Sequence, residues 1–352
     1  MLAEQDWIDH GAQPIAVGYR DLMADAAGVE GRTVAVVYNP VRIDVPRVRA
    51  AVESAAERAG DVELLWLPTT AEEGGQTQTR HALERGAQLV LAAGGDGTVR
   101  AVAEAMREGD ATLGILPSGT GNLLARTIGI PFANVEEACT IAFEGATRRI
   151  DIGVATAERE NGQRDEYAFL VMAGVGIDAQ MIANTRPELK RRLGWLAYVD
   201  AGFRALPKAQ KLRLRFRLDD APERSAEVST ILVANCGTLP GNMELIPDGS
   251  VDDGMLDVAL LQPASVFGWL AIWRKVTWEN RVLRHSALGR RIIRFTDRAV
   301  RTRLSYLRGA SAQLRTERPE PFELDGDAFG EVVSLDLRVD EGGLRVRVRV
   351  RG

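Results

Sequence analysis

Hydrophobic and polar positions follow one pattern in the first part of the chain and another in the second. In the first part, apolar runs at residues 33–38 and 88–93 alternate with segments of helical spacing at 46–59 and 99–107. This alternation predicts a doubly wound, mostly parallel sheet with helices on both faces. Ligands of such sheets bind at the carboxyl ends of the strands. The other elements predicted here are strands at 62–67 and 112–116 and a helix at 76–85.

After Gly145 the pattern changes to short strands, several of which alternate, most clearly Leu344-Arg-Val-Arg-Val-Arg-Val. Strict alternation favours an antiparallel second domain. The predicted strands are 148–154, 167–173, 212–218, 229–234, 255–261, 291–296, 321–324, 332–339 and 344–350, with helical segments at 179–205 and 264–283. Residues 1–30 are irregular, and we expect them to form an N-terminal extension.

The composition suits a globular protein, and a length of 352 residues suggests two domains. No apolar run reaches the roughly 18–20 residues that span a bilayer, and the N-terminus has no signal-peptide pattern. Cys139 and Cys236 are isolated, which predicts reduced thiols in a cytoplasmic protein.

The charges are unevenly distributed. The net charge is −5, yet residues 273–318 contain thirteen arginines and lysines against three acids. Only four lysines occur, and the first is Lys190. A Walker-A loop needs a lysine after its glycines. Any phosphate site in the first part must therefore rely on backbone, arginine and metal.

Two glycine-rich loops follow neighbouring strands of the predicted sheet. The first is Gly94-Gly95-Asp96-Gly97-Thr98, and the second is Pro117-Ser118-Gly119-Thr120-Gly121-Asn122. A helix follows each loop, so backbone N–H groups and a helix dipole would face an anion there. Each loop alone also fits a capped turn without a ligand. Together they predict a cradle for a polyphosphate.

These two loops, in this order, resemble the catalytic domain of the diacylglycerol kinase and sphingosine kinase family in its soluble bacterial form. Three later segments are similar to that family as well. They are Val171-Met-Ala-Gly-Val-Gly-Ile-Asp178, Pro247-Asp-Gly-Ser-Val-Asp-Asp-Gly-Met255 and Phe322-Glu-Leu-Asp-Gly-Asp327. The resemblance covers about residues 31–350.

The resemblance implies an ATP-binding α/β domain at 31–150 and an antiparallel β-sandwich domain for the lipid substrate at 151–352. The segment 321–352 would contribute to an active site between them. The residues that it assigns to ATP are Asn39, Thr70 (or Thr69), Gly94, Gly95, Asp96, Gly97, Thr98, Val99, Arg100, Ser118, Gly119, Thr120 and Asn122.

The resemblance also implies a magnesium site and a catalytic base. Asp253 would bind magnesium through its side chain, and Ser250 and Met255 would offer carbonyl oxygens, which suit this ion. Asp327 or Asp325 would take the proton of the lipid hydroxyl. Asp96 would hold a catalytic magnesium or orient the phosphates. Each acidic segment also fits a plain Asp-Gly turn, and without the resemblance a turn between strands is the favoured interpretation of Asp325-Gly-Asp327.

The chain departs from the family pattern at three places. Arg100-Ala101 stands where the family has Asn-Glu, Val41-Arg42 replaces Ser-Gly, and Asp327 is one methylene shorter than the usual Glu. Whether Arg42 and Arg100 contact phosphate is open at this point.

A lipid substrate implies contact with a membrane. Residues 264–283 carry Trp269 and Trp273 at helical spacing among basic residues, and residues 186–211 similarly carry Trp195. Such helices suit an anionic bilayer surface, although packed helices with a basic face fit equally. We expect a cytoplasmic, peripherally membrane-associated protein that binds no nucleic acid, and leave a homodimer open.

The function predicted from the sequence is an ATP- and magnesium-dependent lipid kinase that converts diacylglycerol to phosphatidic acid. Three alternatives remain open. They are a kinase for a sphingoid base or other lipid alcohol, an NAD kinase, which shares the Gly-Gly-Asp-Gly-Thr loop, and an inactive nucleotide-binding regulator.

Overall fold

The computed structural model describes most of both predicted domains. The described residues are 32–70, 73–107, 109–118, 121–176, 212–236, 238–239, 243–244, 250–261 and 304–350. The predicted extension at 1–30, the predicted helical segments at 179–205 and 264–283 and the predicted strand at 291–296 lie outside these residues.

The first part of the chain forms a parallel sheet flanked by helices. Its elements are β1 (Arg32–Tyr38), α1 (Val45–Ala59), β2 (Val62–Pro68), α2 (Gln76–Glu84), β3 (Ala87–Gly94), α3 (Asp96–Met106) and β4 (Thr112–Pro117). Neighbouring strands pair in parallel in the order β2-β1-β3-β4. The predicted alternation is therefore confirmed, and all four strands end at the same edge of the sheet.

Two further helices complete this part, α4 (Leu123–Thr127) and α5 (Val135–Glu144). The side chain of Asn134 caps α5 by accepting a hydrogen bond from the N–H of Glu137 at 3.0 Å. The buried face of α5, which includes Phe143, joins the same hydrophobic core as β1, β3 and β4. That core fixes the sheet edge at which the glycine loops lie.

The second part is antiparallel, as the alternating pattern predicts. Its strands are β5 (Ala146–Glu158), β6 (Arg164–Phe169), β7 (Met172–Val175), β8 (Leu212–Leu218), β9 (Arg224–Val228), β10 (Thr230–Ala234), β11 (Thr238–Leu239), β12 (Met243–Glu244), β13 (Leu256–Leu261), β14 (Leu304–Gly309), β15 (Ser311–Leu324) and β16 (Asp327–Val348). The strands β14-β13-β10-β7-β15-β16 are consecutive neighbours, while β5 and β6 pair beyond β16, and β8 and β9 beyond β15. A second hydrophobic core lies between these strands.

β16 connects the two parts. It pairs with β15 near its start and with β5 along most of its length, and Arg345 and Val346 pair in parallel with β4. The sequence predicts two strands here, at 332–339 and 344–350, whereas the structure has one strand with an irregular register between Asp340 and Leu344. The division of the chain at residue 150 stays a prediction.

The strand predicted at 167–173 is interrupted. β6 ends at Phe169 and β7 begins at Met172, so Leu170 and Val171 lie outside both strands. The break turns the N–H groups of residues 170–172 toward the carboxylate of Asp325. A hydrophobicity pattern does not register such a break, because both residues are apolar and buried.

In the part of the chain that the structure describes, none of the helices combines the length and the apolar character that crossing a bilayer requires.

Candidate active site

The turn between β3 and α3 presents the start of a helix at the sheet edge. Gly95 is the N-cap of α3, and its carbonyl accepts the N–H of Val99 at 3.1 Å. The side chain of Thr98 packs so closely against Gly94 that a Cβ at residue 94 would lie 2.6 Å from its hydroxyl oxygen. Helical N–H groups without intrahelical partners attract anions. The turn therefore has the geometry of an anion site.

Asp96 joins the two glycine loops. One carboxylate oxygen accepts the N–H of Asn122 at 2.7 Å, and the other accepts the N–H of Leu123 at 2.6 Å, at the start of α4. A Cβ at residue 121 would collide with the Asp96 carboxylate, which explains the glycine there. Burial raises the pKa of Asp96, and the two backbone hydrogen bonds act in the opposite direction. Because both oxygens are engaged, Asp96 holds the two glycine loops together in the structure, and whether it holds a magnesium ion or orients phosphates stays a prediction.

The second loop is held to the first by Ser118 and Asn122. The N–H of Ser118 donates to the carbonyl of Gly94 at 2.9 Å, and the Ser118 hydroxyl donates to the carbonyl of Arg42. Asn122 has a left-handed backbone with φ of 52°, and its side-chain nitrogen donates to the carbonyl of Ser118 at 2.5 Å. Its buried Oδ1 has no hydrogen-bond partner among the residues that the structure describes. Gly119 and Thr120 lie outside the described residues.

The loops after β1 and β2 reach the same edge. The side chain of Asn39 accepts the N–H of Val41 at 3.1 Å, which turns the chain after β1. Thr69 is buried and donates its N–H to Tyr38, whereas Thr70 is exposed and its hydroxyl accepts the N–H of Glu73. Asn39 and Thr70 therefore lie at the edge of the sheet where the two glycine loops begin, and of the two threonines only Thr70 offers an exposed side chain.

Gly95 is the one glycine of the first loop that the fold itself does not explain. Its φ of −90° suits any residue, and among the described residues the nearest atom to a Cβ there would be the carbonyl oxygen of Ser118 at 3.8 Å. A side chain at residue 95 would therefore project between the two loops. Glycine at such a position allows a ligand to approach the backbone closely.

A tight hairpin turn joins β15 to β16 and carries the two acids predicted as base. Asp325 and Gly326 have φ of 50° and 85°, and Leu324 pairs with Asp327 across the turn. Two consecutive positive φ angles are typical of a two-residue type I′ turn, in which Asp-Gly is a preferred sequence. We call residues 324–327 the hairpin turn.

The carboxylate of Asp325 is fully engaged inside the protein. It accepts the N–H groups of Leu170 and Val171 at 2.8 Å and of Met172 at 2.9 Å. Burial raises its pKa to about 6, and these hydrogen bonds oppose the increase. Asp325 therefore anchors the hairpin turn to the break between β6 and β7, and this contact favours Asp327 as the base.

Asp327 lies against the start of α3. A Cβ at residue 97 would be 2.8 Å from Oδ2 of Asp327, so the glycine at 97 makes room for this carboxylate. Asp327 is exposed, unlike Asp325. The structure thus brings a carboxylate from the antiparallel part to the anion site of the parallel part, although the two are more than 200 residues apart in the sequence.

Sequence reasoning missed Glu323, a third acid close to the hairpin turn, near the end of β15. Glu323 is buried, and within the described part of the chain its Oε1 has no hydrogen-bond partner. Burial together with the charge of Asp327 raises its pKa to about 7. The sequence did contain a signal for Glu323, because this acid lies between Phe322 and Leu324 in a predicted strand. Acids are rarely fully buried unless they are paired, so an acid in such a strand is unusual.

The loop 250–255, which we call the acidic loop, folds around Asp253. Its carboxylate accepts the N–H groups of Ser250 and Met255, each at 3.1 Å, and forms an ion pair with Arg308. Asp151 supports the loop by accepting the N–H of Gly254 at 2.7 Å and of Gly342 in β16 at 2.8 Å. Sequence reasoning missed Asp151. Among the described residues, no group of three or more acid, histidine or cysteine side chains could hold a metal.

The two arginines that depart from the family pattern have different surroundings. Arg42 is exposed at the sheet edge, and its carbonyl binds Ser118. Arg100 is buried within α3 and forms an ion pair with Glu104 at 3.4 Å. Only Arg42 therefore presents its side chain to solvent at the anion site.

The chain is similar in sequence to known protein families. Residues 33–155 match the model of the diacylglycerol kinase catalytic domain, and residues 170–347 match that of the YegS C-terminal NAD kinase beta sandwich-like domain. A protein of Pseudomonas aeruginosa (strain UCBPP-PA14) named "Probable lipid kinase YegS-like" is 37% identical over 227 residues, which cover 63% of this chain and 70% of that protein. The diacylglycerol kinase of Bacillus subtilis (strain 168) is 31% identical over 241 residues, which cover 67% of this chain and 76% of the relative.

Solved structures share the fold. A diacylglycerol kinase from Bacillus anthracis str. Sterne superposes with a TM-score of 0.69 and 22% identity, covering 90% of this chain and 97% of that chain. A yeast NADH kinase superposes with a TM-score of 0.52 and 8% identity, covering 93% and 85%. The predicted α/β-plus-sandwich fold is thus confirmed, and the sequence matches show that the chain belongs to the bacterial lipid kinase family that includes diacylglycerol kinases and YegS-like proteins.

Proposed function

We propose that this protein is an ATP- and magnesium-dependent kinase that transfers the γ-phosphoryl group to the hydroxyl of diacylglycerol and forms phosphatidic acid. The observation that carries the proposal is the approach of Asp327 to Gly97, at the N-terminus that also presents Gly95. A lipid kinase needs this combination, a carboxylate for the acceptor hydroxyl beside backbone donors for the phosphates.

The nucleotide would lie along the edge formed by the loops after β1 to β4. Backbone N–H groups at the start of α3 would face its phosphates, and the open position at Gly95 supports their close approach. Asp96 would keep the two glycine loops at a fixed separation through Asn122 and Leu123. Asn39, Thr70 and Ser118 would line the same edge.

Asp327 would act as the general base. It would accept the proton of the lipid hydroxyl while the hydroxyl oxygen forms a bond to the γ-phosphorus and the bond from that phosphorus to the β,γ-bridging oxygen breaks, releasing ADP. Asp325 would hold the hairpin turn rather than accept this proton, because its two oxygens already bind three N–H groups.

Magnesium fits the acidic loop in its donor chemistry. Asp253 supplies a carboxylate, and one or two carboxylates with further oxygens form a typical magnesium site in proteins. Asp253 would bind the ion with the carbonyls of Ser250 and Met255, and Arg308, which pairs with the same carboxylate, would compete with it. Magnesium bound with the nucleotide would neutralise phosphate charge.

The decisive experiment incubates the purified protein with γ-labelled ATP, magnesium and a panel of acceptors. The panel contains diacylglycerol, a sphingoid base, a monoacylglycerol and NAD. We expect label in phosphatidic acid. Label confined to the sphingoid base would mean that the lipid substrate is a sphingoid base and not diacylglycerol. Label in NADP alone would overturn the proposal of a lipid kinase. ATP binding without transfer to any acceptor would favour a nucleotide-binding regulator.

Peripheral association with an anionic membrane is part of the proposal. The segments that would provide it, 186–211 and 264–283, lie outside the described residues. We expect the protein to co-sediment with vesicles that contain anionic lipid and to lose this binding when Trp269 and Trp273 are replaced by alanine. If that double variant binds vesicles as well as the wild type does, the segment 264–283 does not provide the membrane contact.

A further inference from the structure

Arg100 occupies a position where a charge is costly. Its exposed fraction is 7%, and it lies on the buried side of α3 together with Val99, Val102 and Ala103. Burying a guanidinium group is unfavourable unless the group gains partners. The partners of Arg100 therefore indicate what this residue does.

Those partners lie where α3 of the parallel part meets β6 and β16 of the antiparallel part, a contact region that we call the seam. Arg100 Nη1 lies 3.4 Å from Glu104 Oε2, and that oxygen also accepts the N–H of Ala168 in β6 at 2.9 Å. The guanidinium carbon lies 4.6 Å from the ring centroid of Phe329 in β16. Arg100 thus contacts the antiparallel part through a shared carboxylate and through a cation–π contact with an aromatic ring.

Phe329 is itself held in place. Its ring centroid lies 4.8 Å from that of Tyr167 in β6 and 6.1 Å from that of Phe322 in β15. Tyr167 and Phe329 both pack against the hydrophobic core of the antiparallel part, of which Phe322 is a member, so Phe329 is attached to that core. A contact with Phe329 therefore determines where the start of β16 lies relative to α3.

α3 contacts the start of β16 at two places that are spaced along both elements. Gly97 meets Asp327, and Arg100 meets Phe329. Three residues advance a helix by about 4.5 Å, and two residues advance a strand by about 6.6 Å. Asp325 already holds the hairpin turn to residues 170–172, and the two contacts with α3 add a restraint on the position and the angle of Asp327 against the helix.

We propose that Arg100 is a positioning residue that holds Asp327 against the N-terminus of α3 through Phe329, and that it is not a ligand of the ATP phosphates. This assigns a role to the arginine that stands where the family has an amide. The activity readout of the proposal rests on the proposed kinase function.

The test compares three variants of the full-length chain with the wild type. Arg100→Met removes the charge and keeps a long side chain, and Arg100→Lys keeps the charge without the planar group. Arg107→Met is the matched control, because Arg107 lies just beyond α3 and pairs with Glu166 of β6 at 2.5 Å, about two helical turns from Arg100. Nucleotide affinity is measured by calorimetry with ATP and magnesium, and kcat and KM with whichever acceptor the wild type phosphorylates.

We expect Arg100→Met to lower kcat about 10-fold or more while the ATP affinity changes less than about twofold. Arg100→Lys should recover only part of kcat, and Arg107→Met should leave kcat near the wild-type value. A loss of ATP affinity of about 10-fold or more in Arg100→Met, with kcat retained, would show that Arg100 binds phosphate and would overturn the proposal. An equal loss of kcat in Arg107→Met would also overturn it. The effect of Arg100 on kcat would then be shared by any contact between α3 and the antiparallel part, and would not be specific to the contact with Phe329.

Phe329→Leu tests the same contact from the strand side if Arg100→Met folds poorly. It should lower kcat to a similar extent, and the double variant should lose no more than either single variant, because both remove one interaction. Additive losses would contradict the proposal. Calorimetry needs no acceptor, so a wild type without lipid kinase activity would overturn the proposed function while ATP affinity still decides whether Arg100 binds phosphate.

Discussion

The hairpin turn and the acidic loop contain the same dipeptide, Asp-Gly, yet they use their carboxylates differently. In the hairpin turn, the carboxylate of Asp325 binds N–H groups of a distant chain break, and the next acid, Asp327, projects toward α3. In the acidic loop, the carboxylate of Asp253 binds the N–H groups of its own loop and pairs with Arg308.

The difference indicates which acids can accept a proton from a substrate. An aspartate whose carboxylate accepts the N–H groups of its own turn has both oxygens occupied, and it can at most bind a cation. A turn anchored by one acid can hold a second acid at a fixed place with free oxygens. On this basis we expect substitutions of Asp327, Asp325, Asp253 and Glu323 to have separate and distinguishable consequences.

The largest effect is expected for Asp327→Asn. An amide cannot accept the proton of the lipid hydroxyl, and loss of a general base typically costs a factor of about 10²–10⁴ in rate. We expect kcat to fall at least about 100-fold with an unchanged melting temperature, because Asp327 is exposed. Asp327→Glu, which restores the usual family residue, should remain active. Full activity of Asp327→Asn in the lipid kinase assay would exclude Asp327 as the base.

Asp325→Asn should mainly reduce stability. The amide keeps one acceptor and turns an NH₂ group toward at least one of the three backbone N–H groups, which leaves a buried donor unpaired. We expect the free energy of unfolding in urea to fall by about 1–3 kcal/mol.

Asp219→Asn is the matched control for that variant. Asp219 also has a positive φ, of 46°, and also accepts a backbone N–H, from Ser311 at 2.9 Å, but it is exposed. Its replacement should change the unfolding free energy by less than about 0.5 kcal/mol. Equal losses in the two variants would mean that burial of the Asp325 carboxylate is not what makes it an anchor.

A smaller effect is expected at the acidic loop, through magnesium. If Asp253 holds the ion, magnesium should raise the melting temperature of the wild type, and Asp253→Asn should abolish that increase. Arg308→Gln should instead shift the magnesium midpoint to lower concentration, about threefold or more, because it removes the competing cation. An unchanged midpoint in Arg308→Gln would show that the guanidinium and the ion do not share the carboxylate.

The smallest effect concerns the pH dependence of stability. Burial raises the pKa of Glu323 from 4.5 to about 7, so between these values the folded protein holds a proton that the unfolded chain has released. The unfolding free energy contributed by this group is therefore fully present below about pH 4.5 and is lost as the pH rises through about 7. The difference in unfolding free energy between wild type and Glu323→Gln should fall over this window, measured by urea unfolding at several pH values. A pH-independent difference would argue against a raised pKa.

The elements of the parallel sheet could be predicted from the sequence because their signals are local. Buried runs such as β1 and β3 and the glycine turn at Gly94 to Gly97 depend on neighbours in the chain. The same locality indicated both glycine loops, and their order carried the resemblance that the family matches bear out. The lack of a lysine before Lys190 excluded a Walker-A loop without any structure.

The tertiary structure decided which acids are anchors and which one faces the anion site. Asp325 and Asp327 are chemically identical and two residues apart, so no local pattern separates them. Their difference arises because the break at Leu170 and Val171 supplies donors to one, while Gly97 leaves room for the other. Arg100 is a similar case, since its partner Phe329 comes from a strand more than 200 residues later. The sequence by itself determined the fold and the two glycine loops through local patterns. The positions of the acids relative to these loops depend on contacts between distant strands, which only the folded chain brings together.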